Sequence, residues 1–160
     1  MGIAKFSHVS EKQYRAATEG RGECLPLGEI PLPRRSTRGS AGYDFVTPME
    51  VVIPAGGKVM IPTGIRCRME EGWVLLMFPR SGLGFRYQIR LSNTVGVIDS
   101  DYWYAENEGH ILVPLRNPNP EPVTLARGER FCQGVFVPFG LAEEDAEPGE
   151  RTGGFGSTGR

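Results

Sequence analysis

Residues 64–78 read Gly-Ile-Arg-Cys-Arg-Met-Glu-Glu-Gly-Trp-Val-Leu-Leu-Met-Phe, two short apolar stretches parted by Glu70-Glu71-Gly72. In Ile65-Arg66-Cys67-Arg68-Met69 apolar and charged residues alternate one for one, the period of a strand with one face in a core and one in water. Cys67 then points inward as a small apolar residue, not a reactive thiol. Residues 73–78 are apolar throughout, which suits a buried strand. The same unit recurs along the chain. Candidate strands at 43–46, 49–53, 58–61, 64–69, 73–78, 87–91, 110–115 and 130–138 are separated by turns drawn from 22 glycines and 13 prolines. Many short strands with tight turns predict an all-β fold, a jelly-roll-like sandwich or barrel.

One helix interrupts the pattern. Ser10 followed three residues later by Gln13 makes a capping box, and the polar, helix-favouring run 11–19 stops at Gly20. It is expected as an appendage on the sheet-built domain. Residues 142–150, Ala-Glu-Glu-Asp-Ala-Glu-Pro-Gly-Glu, are acidic and nearly devoid of apolar side chains, the composition of a solvated linker. The expected organisation is a single β domain at 1–141, followed at 142–160 by an acidic linker and a flexible, Gly-rich lid.

A chain of 160 residues fits one domain, long enough to bury a core without disulfides or a structural metal. Lys and Arg number 18 against 19 Asp and Glu, a net charge of −1 that gives no field to hold a nucleic-acid backbone. Any phosphate contact must therefore be local. Cys24, Cys67 and Cys132 are odd in number and far apart, unlike a disulfide framework or a zinc site. The N-terminus has no apolar signal-peptide core, and no apolar run approaches the roughly 20 residues of a membrane span. The expectation is a soluble, cytoplasmic protein without membrane or nucleic-acid partners.

Several segments carry residues suited to a nucleoside polyphosphate. Pro79-Arg80-Ser81-Gly82-Leu83-Gly84 follows a buried strand and offers a guanidinium, a hydroxyl and small residues whose amides can approach phosphate oxygens; an ordinary turn with a surface Arg has the same composition. Gly96-Val97-Ile98-Asp99-Ser100-Asp101-Tyr102 sets carboxylates beside an aromatic ring. Asp99 there is either a general base for a water or a turn-capping carboxylate. Gln133 lies in the apolar strand 130–138, where a buried amide needs a partner, either ligand phosphate or neighbouring main chain. The chain ends Gly-Gly-Phe-Gly-Ser-Thr-Gly-Arg, the composition of an unstructured terminus, yet Phe155 has no packing reason to stand there. A ring closing over a base would supply one.

Taken in order, five segments resemble the five motifs of the trimeric dUTPases: Ala41-Gly42-Tyr43-Asp44, then 79–84, 96–102, Arg127-Gly128-Glu129-Arg130 through Gln133, and 153–159. The resemblance spans roughly residues 33–160. It implies a jelly-roll subunit, a homotrimer with active sites at subunit interfaces, and hydrolysis of dUTP to dUMP and pyrophosphate with Mg²⁺. That reaction keeps uracil out of DNA and supplies dUMP for thymidylate synthesis. By resemblance Asp99 is the catalytic base for attack on the α-phosphorus, and Tyr102 sits under deoxyribose and excludes a 2′-hydroxyl. Asn93 and the backbone of residues 94–98, including Val97 and Ile98, form a hairpin that reads uracil. Arg80, Ser81, Gly82 and Gln133 hold phosphates, and Asp44 stands near the hydrated metal. Phe155 stacks on uracil, while Arg151, Gly156, Ser157 and Thr158 close over the triphosphate.

The chain departs from the family pattern in two places. It inserts Trp103-Tyr104-Ala105-Glu106-Asn107-Glu108 after the tyrosine of the third motif, and Arg151 stands four residues before Phe155 where five is commoner. A Gram-positive bacterial and phage subgroup has a similar insertion, tail and N-terminal helix, and this chain looks closest to it. The insertion offers a surface for a protein partner. A dCTP deaminase shares the fold, but the third and fifth motifs speak for dUTPase. A non-catalytic nucleotide-sensing trimer is the alternative of a different class.

Overall fold

The computed structural model describes residues 2–144, to which Arg151, Phe155, Gly156, Ser157 and Thr158 do not belong. Among them the chain runs β1 (Ala4–His8), α1 (Glu11–Thr18), β2 (Arg34–Arg35), β3 (Tyr43–Val46), β4 (Val51–Ile53), β5 (Lys58–Pro62), β6 (Ile65–Met69) and β7 (Trp73–Pro79). It continues through α2 (Ser81–Tyr87), β8 (Arg90–Leu91), β9 (Gly96–Ile98), β10 (Leu112–Arg116), β11 (Val123–Leu125) and β12 (Arg130–Pro138). Every pairing is antiparallel. The largest sheet has the order β2-β3-β12-β7-β9, and smaller ones join β5-β10-β8, β11-β4 and β1-β6. Among the described residues none closes on itself, and the fold is of the predicted all-β, jelly-roll-like class.

The alternation in β6 is realised in space: Ile65, Cys67 and Met69 are buried. They join Phe45, Ile53, Leu75, Met77 and Phe131 in one core. Burial pushes the Cys67 thiol up to about 12 and raises Cys132 as well, so neither offers a thiolate.

The helix at the N-terminus forms where the capping box predicts, with the Gln13 amide donating to Ser10 Oγ at 3.1 Å. It is not an appendage. Tyr14 is buried, its hydroxyl donates to the Leu25 carbonyl at 2.9 Å, and its ring packs beside Gly64. At Gly64, φ +74, a methyl group would meet Ile30 Cδ1 at 2.7 Å, so a side chain there would push the helix-side residues off the sheet.

The expected strand at 87–91 is corrected. Residues 81–87 form α2 instead, and only Arg90–Leu91 is extended. Leu83 at 6% exposure and Ile89 at 1% bury the two ends of this segment, and Gln88 turns left-handed at φ 54 to close the helix onto the Gly84 and Leu83 carbonyls.

Candidate active site

Asp44, on β3, organises the first cluster. It lies in register with Gln133 on β12, which in turn faces Phe78 on β7. Arg80, directly after β7, forms an ion pair with Asp44, its Nε 3.2 Å from Oδ1. Asp44 Oδ2 accepts from Ser36 Oγ at 2.7 Å and from Arg130 Nη1 at 3.2 Å. The carboxylate is only 10% exposed, against 33% for the Arg80 side chain and 51% for Arg130. Two guanidiniums on one carboxylate leave a net positive cluster whose arginines are both partly exposed, which suits an anion. The amides of Ser81 and Gly82 open α2 and have no carbonyl one turn back within the helix.

Gly42 completes this end. A methyl group there would stand 3.1 Å from Gln133 Cδ and closer still to its Oε1, so the glycine leaves the space in which the Gln133 amide lies. Gln133 itself is half-buried, not enclosed as the strand pattern suggested. Ser36 and Arg130 were missed as partners of Asp44. Arg130 stands within the quoted fourth motif, but nothing local says which carboxylate it reaches.

The second cluster stands at the far edge of the sheet. Among the described residues β9 pairs only with β7 and is the last strand, so its outer main-chain edge faces away from the sheet. Val97 is 56% exposed and Ile98 is buried. Asn93 and Thr94 make the tight turn that leads into it, with Thr94 at φ 69 and its amide donating to the Leu91 carbonyl at 3.1 Å. The turn closes as a tight hairpin, with an antiparallel bridge joining Leu91 to Thr94 across residues 92–93, and its arms then diverge: β8 pairs with β10 and β9 with β7. Asp99 is half-buried and begins a 3-10 turn, Ser100–Tyr104, whose Tyr102 amide donates to the Asp99 carbonyl at 3.2 Å. Tyr102 is 4% exposed, and its hydroxyl donates to the His110 carbonyl at 2.8 Å. Asp101 belongs elsewhere, to a cavity of about 260 Å³ shared with Arg68, Trp103 and Tyr104.

One chain does not bring these clusters together. From β3 across β12 and β7 to β9 is three strand spacings, roughly 14 Å, and Asp99 lies about four residues, roughly 13 Å, along from the row of Asp44. The diagonal is about 20 Å. The groove beside Asp44, about 450 Å³ and lined by Arg34, Arg35, Ser36 and Arg130 among others, includes neither Asp99 nor Tyr102.

For a metal, the described residues hold no group of three His, Cys, Asp or Glu side chains. Asp44 Oδ2 already receives hydrogen bonds from Arg130 and Ser36, and Oδ1 is ion-paired with Arg80. The donor set therefore fits a cation carried by a phosphate chain, not one held in a protein cage.

Residues 28–159 match the dUTPase family model. This chain belongs to the dUTPase family. All five quoted segments fall inside the matched region, while α1 precedes it. The chain is 47% identical over 133 residues to the deoxyuridine 5′-triphosphate nucleotidohydrolase of Lactococcus lactis, covering 81% of this chain and 89% of that protein. To the enzyme of the same name from Shewanella halifaxensis it is 42% identical, with 82% and 88% covered. Among solved structures it resembles the dUTPase from Streptococcus mutans with a TM-score of 0.68 at 35% identity, covering 86% of this chain and 98% of that one. A dUTPase from phage phi11 of S. aureus, described with a structural Mg(II) ion, shares the fold with a TM-score of 0.67 at 19% identity, covering 94% and 100%. As a dUTPase the chain is a nucleotide hydrolase, and dUTP is the substrate of its family. No helix among the described residues is long and apolar enough to cross a membrane.

Proposed function

We propose that this dUTPase cleaves dUTP to dUMP and pyrophosphate at a site shared between the subunits of a homotrimer. The separation of about 20 Å between Asp99 and the Asp44 cluster carries the reading. A nucleotide bound at one edge of the sheet needs the other half of its site from a neighbouring copy. In this scheme the Asp99 carboxylate takes a proton from a water, which attacks the α-phosphorus; the bond to the bridging oxygen breaks and pyrophosphate leaves with its charge. Arg80, Ser81, Gly82 and Gln133 hold the phosphate oxygens. Asp44 acts chiefly by fixing Arg80 and Arg130, and it reaches any cation only through water. When bound, Mg²⁺ would offset charge on the triphosphate, with phosphate oxygens as most of its ligands.

The outer edge of β9, with Asn93, Val97 and Ile98 at its turn and strand, offers main-chain donors and acceptors to a flat base. Tyr102 lies behind it as the sugar platform. Residues 142–160 are proposed as linker and lid beyond a β domain of 1–141, with Arg151, Phe155, Gly156, Ser157 and Thr158 closing over the nucleotide and excluding bulk water. The product dUMP would feed thymidylate synthesis in the cytoplasm, and removal of dUTP would keep uracil out of DNA. A partner-binding role for residues 103–108 draws support from Tyr104, which is 75% exposed.

The test is pyrophosphate release from dUTP, UTP, dTTP and dCTP with Mg²⁺. Release from dUTP alone is expected, and no release from any nucleotide overturns the reading. Asp99→Asn should still bind dUTP while turnover falls about 10²- to 10⁴-fold, the usual contribution of a general base. Turnover near wild type removes Asp99 from that role.

A further inference from the structure

The stretch of six inserted residues 103–108 is only partly exposed, and Ala105 is buried. Asn107 Nδ2 donates to the Tyr102 hydroxyl at 2.7 Å, and Asn107 Oδ1 accepts from the Gly109 amide at 3.2 Å. Next to it, Glu108 receives two hydrogen bonds from one residue 98 positions earlier: Ser10 N to Oε2 at 2.8 Å and Ser10 Oγ to Oε1 at 2.6 Å. These bonds hold the Glu108 carboxyl below its ordinary range. Ser10 is also the cap of α1, so the insertion is tied to the first turn of that helix. At the other end, Arg66 on β6 donates from Nη2 to the Trp103 carbonyl at 2.8 Å, and its guanidinium lies 3.4 Å over the Trp103 ring.

The core side of this loop is equally bound. The buried His110 accepts the Gly64 amide at Nε2, 2.8 Å away, and its carbonyl accepts the Tyr102 hydroxyl. A neutral imidazole that accepts at Nε2 carries its proton on Nδ1, and Gln13 Nε2 on α1, 3.5 Å from that nitrogen, packs against it as a second donor without a hydrogen bond. The hydrogen-bonded tie from α1 into this loop therefore runs through Ser10 to Glu108, while Gln13 packs against His110 just beyond it. The first ends at Glu108, one residue from Asn107, and the second at His110, whose own carbonyl accepts the Tyr102 hydroxyl.

We infer that residues 103–108 form a brace by which α1 fixes the Tyr102 ring, with Asn107 as the positioning residue that sets selectivity for deoxyribose over ribose. The inference rests on the reading of Tyr102 as the sugar platform. A ring held at its hydroxyl by two hydrogen bonds, to a loop locked at both ends, cannot tilt to admit a 2′-hydroxyl. Freed at Asn107, it keeps its place in the core but gains that tilt. Asn107 does not touch the nucleotide; it acts through Tyr102.

The experiment compares kcat/KM for dUTP and UTP in full-length wild type, Asn107→Leu, Ser10→Ala and the double variant, beside hydrogen exchange of residues 99–110. In Asn107→Leu the dUTP-to-UTP ratio is expected to fall about five- to tenfold, the effect of one lost hydrogen bond, through UTP gaining more than dUTP loses. Ser10→Ala should give a smaller fall in the same direction, and the two should combine less than additively because they act on one brace. Both should speed exchange across residues 99–105. An equal loss on both substrates, or an unchanged ratio, overturns the inference. Unchanged exchange in both variants also overturns it, and this readout stands whatever the enzyme turns over. A wild type that releases no pyrophosphate from dUTP instead overturns the proposed function.

Discussion

His110 shows how much one side chain depends on where the chain buries it. It is fully enclosed, and desolvation lowers its imidazole to about 4, although the Glu108 carboxylate nearby pulls the other way. An unfolded histidine titrates near 6.5, so below that pH the unfolded chain binds a proton that the native chain refuses. Stability is full above about pH 6.5 and is lost as the pH falls toward 4, by roughly 3 kcal/mol from this group. In denaturant unfolding between pH 6.5 and 4.5, His110→Gln should flatten the loss with acid by close to one proton's worth. Equal slopes in the two proteins would show that the acid sensitivity comes from elsewhere. The neutral ring is required by its place, because a second N–H would point at the Gly64 amide, itself a donor.

At the scale of elements, the 3-10 turn Ser100–Tyr104 and the loop after it are folded back on themselves at Gly109. Its φ is +70, and a methyl group there would stand 2.7 Å from the Tyr102 carbonyl oxygen and 2.9 Å from Trp103 Cα. Backbone cannot swing aside as a flexible side chain can. Gly109→Ala should therefore cost about 2–4 kcal/mol in denaturant unfolding, the range of strain plus a backbone clash. A cost below about 1 kcal/mol would mean that the loop repacks freely. Helix α2 is governed differently: Gly82 and Gly84 weaken it, while burial of Leu83 and the left-handed turn at Gln88 hold it in place. Its Phe85 is 90% exposed, and Val97 on the strand at the sheet edge is 56% exposed. Both apolar side chains lie on the elements assigned to the nucleotide site, as expected of a face covered by another copy.

For the whole molecule, a site divided between copies makes a sharp prediction. Asp99→Asn and Arg80→Ala each remove one half, so each alone should be nearly inactive. Unfolded together and reassembled in equal amounts, they should regain activity, since roughly a quarter of the sites in randomly mixed trimers pair an intact Asp99 with an intact Arg80. Mixing without recovery, with native mass spectrometry confirming mixed trimers, would place both groups in one protomer's site and refute the division.

Burial periodicity and turn chemistry were legible along the chain. The alternation at 65–69, the apolar run at 73–78, the strand at 130–138 and the Ser10 cap all appear where they are expected, because each is written within a few consecutive residues. The five ordered segments were legible too, and with them the family. What tertiary structure decided was everything that joins distant residues. Residues 81–87 became a helix because Leu83 found a core. Strand β1 found its partner 61 positions away at β6. Asp44 gathered Arg80 and Arg130, and Glu108 reached back to Ser10. Such pairings leave no local period to read; they exist only once the collapsed chain brings these groups within hydrogen-bonding distance and removes the water that would otherwise satisfy them.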